Sequence, residues 1–162
     1  MMLDTRILWL WLHLLGVMVW AGGFFYLLMA LVPAMGTGKA TEDRIAVLQK
    51  AVSLFRRISW VAIVLIVVTG FLNLMKRAGL ARAAREASTQ PENYPLFPEG
   101  YMMILTVKLV IVLGLIIHQA AKLLEPRMLE DGRIGFKSGA VGIVTSLLFI
   151  ITMLLGIVLL TL

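Results

Sequence analysis

Four long apolar runs divide the chain, at about 7–32, 58–75, 101–121 and 139–162. Only His13 and small residues interrupt the first. A helix needs about 20 apolar residues to cross the hydrocarbon core of a bilayer. The pattern therefore predicts an all-α fold, a four-helix transmembrane bundle forming a single integral membrane domain over 1–162. The connections are patterned too. Thr41 is placed to cap a helix whose first turn carries Glu42 and Asp43, both favourable at the positive end of the helix dipole. Ile45, Leu48, Val52 and Phe55 then fall on one stripe, with Arg44, Lys50 and Arg56 off it. This predicts an amphipathic helix over about 42–57, lying on the inner surface or extending span two inward. Between 86 and 100, Pro91, Pro95 and Pro98 exclude a helix, and Tyr94 and Phe97 suggest a loop folded against the outer mouth.

Composition strengthens the membrane reading. The chain is 60% hydrophobic with a mean hydropathy of +0.96, where a soluble domain is about 45–50% apolar. It has no cysteine, which excludes disulfides, iron–sulfur clusters and thiolate metal sites. The net charge of +6 comes from residues lying between the apolar runs, where they act as topology determinants and contacts for anionic head groups. No basic patch is interleaved with aromatics, so the lipid bilayer is the expected partner and nucleic acid is not. Lys39, Arg44, Lys50, Arg56, Arg57, Lys122, Arg127, Arg133 and Lys137 occupy the 1–2 and 3–4 connections. Arg6, Lys76, Arg77, Arg82 and Arg85 occupy the other side, a smaller set. The positive-inside rule then places both termini and the 2–3 loop outside. Trp9, Trp11, Trp60, Tyr94, Phe97 and Tyr101 fall near span ends, as an aromatic belt requires. The first run is about twice as long as a signal-peptide core, and only Arg6 precedes it, so it reads as an uncleaved anchor.

Ionisable groups inside spans are costly and usually functional. There are three here: His13, Lys108 and His118. At about 1.5 Å per residue, His13 and Lys108 lie roughly 9 and 10 Å below the outer edge of their helices, at one shared depth. Thr69 and Asn73 approach that depth from span two, and Thr152 and Gly156 continue a small, polar lining on span four. Val17, Trp20 and Phe24 lie within about 40° of His13 around the first helix. Gly16 and Gly23 flank them, leaving a slot for a neighbouring helix or a flat ligand. Gly16, Gly22 and Gly23 equally suit plain close packing of helices. His13 reads either as a satisfied structural histidine or as a ligand and proton carrier. Lys108 either snorkels to the outer surface or pairs with an anion, and no Asp or Glu within a span supplies one. His118, roughly 25 Å from the outer edge, is too far from His13 for both to ligate one haem. It reads as an inner-interface residue or as part of a second site.

The stretch His13-Leu-Leu-Gly-Val-Met-Val-Trp20-Ala-Gly22-Gly23 resembles the first-helix signature of the copper resistance protein D (CopD) family. Arg57 with Ser59, then Thr69-Gly70 and Asn73, resembles its second helix, and Gly100-Tyr101 with Leu105 and Lys108 its third. The same His-and-Lys framework is similar to the HemJ-type membrane protoporphyrinogen oxidases. That resemblance implies a four-helix haem b protein of the bacterial inner membrane, with the ligand role on His13 and an essential role on Lys108. The chain departs from both families. Tyr26-Leu-Leu-Met-Ala-Leu-Val-Pro33 stands where the oxidases carry an Arg and a His. The additional spans or copper domain of many CopD-family chains are missing.

Three readings follow. In the first, the protein binds haem b or another porphyrin: His13 is the axial ligand, Trp20, Gly16, Gly23, Thr69 and Asn73 surround it, and Lys108 pairs a propionate or relays protons. Redox chemistry toward a quinone, oxygen or a periplasmic partner, including an oxidoreductase activity, would come with that cofactor. In the second, His13 with Met102 and Met103 at the outer mouth takes up copper ions, soft donors favouring Cu(I). In the third, the chain is an accessory subunit without a cofactor. A homodimer through the glycine-bearing face of span one is compatible with any of them.

Overall fold

The computed structural model describes residues 5–36, 41–88, 95–121, 126–128, 134–136 and 139–161. Pro91, Tyr94, Lys39, Lys122, Arg133, Lys137 and Leu162 lie outside the described residues. Four helices are long and apolar enough to cross a membrane, spanning Ile7–Met35, Glu42–Glu86, Tyr101–Ala120 and Gly142–Thr161. Their apolar surface faces outward: Val61 is 72% exposed, Met29 69% and Trp11 66%. In a bilayer that surface is met by lipid, and polar backbone groups are satisfied within each helix.

The first helix runs from 5 to 36 and contains two π-helical stretches, Met18–Gly22 and Leu27–Leu31. The second stretch precedes Pro33, which lacks an N–H and would press on the carbonyl of Met29 in a regular helix. Widening the turn relieves that clash.

Of the two expectations for about 42–57, a separate amphipathic helix or an extension of the span over 58–75, the second helix shows the extension. It is a single helix, Glu42–Glu86, roughly 67 Å long at about 1.5 Å per residue. The hydrocarbon core is about 30 Å thick, so the helix projects beyond it. No proline lies between Thr41 and Pro91 to break it. Thr41 caps its start, accepting the Arg44 N–H at 3.4 Å. Leu48 and Val52 of the predicted apolar stripe are buried.

Gly100, with φ of +78°, leads into the third helix, a conformation only glycine adopts freely. Phe97 stacks on Tyr101 at 5.1 Å, laying the last described residues of the proline-rich connection against the first turn of the third helix. A short antiparallel β-hairpin pairs Pro126–Met128 with Ile134–Phe136. It packs on the second helix and the end of the first, at the opposite end from Gly100. The sequence pattern did not suggest it.

The first helix packs along the second and the third along the fourth. Where the pairs meet, Trp20, Ala21, Phe24, Ala62, Ile63, Ile66, Leu115 and Phe149 form the core. The Trp20 ring meets Phe149 edge-on at 5.0 Å, and Phe24 meets it at 5.2 Å.

Candidate functional site

His13 is held by the second helix. Its Nδ1 lies 3.0 Å from the carbonyl oxygen of Ile66 and 3.1 Å from the hydroxyl of Thr69. A carbonyl only accepts, so Nδ1 carries the proton and donates it. Thr69 spends its own hydrogen on the Leu65 carbonyl at 2.6 Å, leaving its oxygen lone pairs to face the imidazole. Both partners therefore select the same tautomer. In a neutral imidazole, Nε2 is left with its lone pair, and among the described residues no group bonds to it. Donation of one ring N–H to a carbonyl is the usual outer support of a metal-ligating histidine.

This approach depends on Gly70. A Cβ at that position would lie 3.2 Å from His13 Cε1 and 3.5 Å from Nδ1. A larger residue would push the ring off the helix backbone. Thr69-Gly70 thus works as a pair: one residue bonds the imidazole and the next makes room for it.

Lys108 has a similar arrangement across the bundle. Its Nζ sits where a Cβ on Gly156 would be only 3.1 Å away. Tyr101, Leu115 and Gln119 share its helix face within about 20°. Tyr101 and Leu115 are buried, so this face points inward and Lys108 with it. No carboxylate or other acceptor pairs with its ammonium among the described residues. The first and third helices thus both turn a basic group into the bundle, His13 against Gly70 and Lys108 against Gly156. Asn73, one turn beyond Thr69, is half-buried on the same side of the second helix. Thr152 bonds the Leu148 carbonyl of its own helix at 2.8 Å.

Other predicted site residues lie elsewhere. The slot beside Gly16 and Gly23 is filled by the second helix. A Cβ on Gly16 would meet Ile66 Cγ1 at 2.8 Å and the Ala62 carbonyl at 3.3 Å, and one on Gly23 would meet the Phe55 ring at 2.5 Å. These two glycines pack helix on helix and leave no room for a flat ligand between them. Trp20 is buried about two turns inward of His13, its Nε1–H donated to Gln119 Oε1 at 2.9 Å. Met102 and Met103 are 52% and 69% exposed, about 120° and 140° around the helix from Lys108. They face the lipid side, away from the inward-pointing lysine. His118 pairs with the Thr145 hydroxyl at 3.2 Å, in a separate place from His13.

Ile66, which the motif reading passed over, acts through its backbone, and the already named Gly70 and Gly156 act through the side chains they lack. At the end of the bundle that carries Gly100, Arg77 donates to the Leu159 carbonyl at 3.0 Å and lies 4.5 Å over the Tyr101 ring. It ties the second, third and fourth helices together just beyond the site. Among the described residues no group of three or more His, Cys, Asp or Glu side chains is placed to hold a metal ion by itself. One free imidazole nitrogen and one unpaired ammonium instead suit a ligand that brings both its metal and its negative charge.

No protein-family model, curated protein or solved structure matches this chain.

Proposed function

We propose that the protein is an integral membrane haem b- or porphyrin-binding protein with a redox role, built on the CopD/HemJ-like plan that its motifs resemble. The observation that carries this reading is the fixed imidazole: Nδ1–H is donated to the Ile66 carbonyl at 3.0 Å, so Nε2 is the nitrogen free to bind iron. Lys108 supports it independently. An unpaired cation inside a bundle is costly, and a propionate is an anion that such a ligand carries. Haem iron, when bound, supplies one-electron chemistry. The chain's own contribution is positional. Ile66 and Thr69 orient His13, Gly70 admits its ring, and Lys108 neutralises a carboxylate or moves a proton at Nζ. Ile63, Ile66 and Leu115 close the site on its inner side with apolar surface. The chain's place would be a bacterial inner membrane with both termini outside, and its electron partner a quinone, oxygen or a periplasmic protein. An oxidoreductase activity of the protoporphyrinogen oxidase kind is compatible with that arrangement.

The copper reading keeps His13 but has less support. Its soft donors, Met102 and Met103, are largely exposed, and the Lys108 ammonium beside the imidazole would repel a cation.

The test is the visible spectrum of the purified protein after expression with haem supplied. A Soret band is expected, lost in His13→Ala and retained in His118→Ala. A colourless wild-type protein that also fails to take up haem in detergent would overturn the proposal. Metal analysis of that protein would then examine the copper reading.

A further inference from the structure

Two polar atoms sealed inside the bundle have no hydrogen-bond partner among the described residues: Ser59 Oγ and Gln119 Nε2. Ser59 is fully buried. Helical serines commonly turn the hydroxyl back to the carbonyl four residues earlier, as Ser146 does to Gly142 at 2.8 Å. Ser59 does not. Buried donors and acceptors left in this state are rare, and ordered water is a common partner for them.

The two atoms belong to one level of the bundle. An indole N–H only donates, so the Trp20–Gln119 bond at 2.9 Å requires the carboxamide to present its oxygen to Trp20. Its NH2 is thereby turned to another side, with two hydrogens to place. On the second helix, Gly16 packs against Ala62 and Ile66, and Gly23 packs against Phe55. Position 59 falls between those contacts, opposite the turn that carries Trp20.

We propose that the Trp20 level of the bundle binds internal water, accepting from Gln119 Nε2 and hydrogen-bonded to Ser59 Oγ. Water matches the chemistry: it donates and accepts, and it needs two to four polar partners. A metal ion is less suited, because none of the four apolar runs contains an Asp, Glu or Cys. His118, the nearest titratable group along the chain, is engaged with Thr145. Trp20 shares a buried apolar cluster with Ile63, Ile66 and Leu115, and the groups proposed to hold the water are not those that hold His13.

The experiment uses the full chain in detergent micelles with 15N-labelled glutamine side chains. The chain has three glutamines, Gln49, Gln90 and Gln119, and Gln119→Leu identifies the buried carboxamide by the signal it removes. A water cross-peak at the Gln119 NH2 is expected in rotating-frame spectra, with the sign of dipolar contact and not of chemical exchange. It should be lost in Ser59→Val, which removes the hydroxyl, while the Trp20 indole proton signal stays. If Ser59→Val does not fold, Ser59→Ala should weaken the cross-peak. A resolved wild-type carboxamide without any water contact overturns the proposal. So does a cross-peak unchanged in the serine variants.

Discussion

His13 and Ile66 are joined by a hydrogen bond of 3.0 Å from the imidazole Nδ1–H of one helix to the main-chain carbonyl of the next. A side chain reaches a helix backbone this closely only where the neighbouring surface is bare, and Gly70 provides that surface. The bond fixes the tautomer and the ring direction before any ligand arrives. Such pre-orientation lowers the conformational cost of binding.

Thr69→Val should keep the shape of the site and remove one acceptor. His13 then retains Ile66 alone. On the proposed haem-binding function, losing an outer partner of the ligating histidine costs about 10–100-fold in affinity, so haem titration should show weaker binding by about that factor with the Soret band still present. Thr69→Ser should restore most of it. Equal affinity for wild type and the valine variant would remove Thr69 from the site.

Lys108→Met should have opposite effects on the empty and loaded protein. A lysine inside a span costs up to about 2.5–3.5 kcal/mol on insertion scales, the value reached at the centre, and no anion offsets it among the described residues. The ligand-free variant should therefore resist thermal or detergent unfolding better than wild type. Haem affinity should fall at the same time. A variant less stable than wild type when ligand-free would show that Lys108 has a structural anion after all.

Gly22→Ala and Gly23→Ala should differ sharply, although the residues are neighbours. A Cβ on Gly22 meets nothing within 4 Å, whereas one on Gly23 would stand 2.5 Å from the Phe55 ring. Overpacking of this kind costs about 1–3 kcal/mol. Unfolding in micelles should show that loss for Gly23→Ala and almost none for Gly22→Ala. Equal behaviour of the two would contradict the helix packing described here.

Arg77→Met should loosen the Gly100 end of the bundle without touching the site. It removes the bond to Leu159 and the contact with Tyr101. Interhelical hydrogen bonds in membranes average about 0.6 kcal/mol, and a cation–π contact adds about 0.5–1 kcal/mol. Hydrogen exchange at the end of the fourth helix should speed up accordingly, while the Soret position stays constant.

Much of the candidate site was legible because membrane chemistry makes exceptions conspicuous. His13 and Lys108 stand out in apolar runs, and counting residues along two helices put them at one depth. Thr69 and Asn73 followed from the same counting. The helix wheel failed for Gly16, Gly23 and Trp20, since it shows which residues share a face but not what the face meets. Two π-helical stretches also begin at Met18 and Leu27, so a regular spacing no longer holds beyond Val17. Met102 and Met103 were near His13 in depth but not in direction.

The sequence by itself determined the class of the fold and the places where polarity is costly. Hydropathy is a sum over neighbouring residues, and a bilayer filters segments by that sum. Only the tertiary structure decided which helix covers each glycine, which nitrogen of His13 is left free, and that the predicted amphipathic helix and second span are one. Those outcomes depend on contacts between residues far apart in the chain: a carbonyl 53 positions from His13, a glycine beside Lys108. No local pattern records such contacts, because a main-chain acceptor and a missing Cβ are the same at every carbonyl and every glycine until the helices pack.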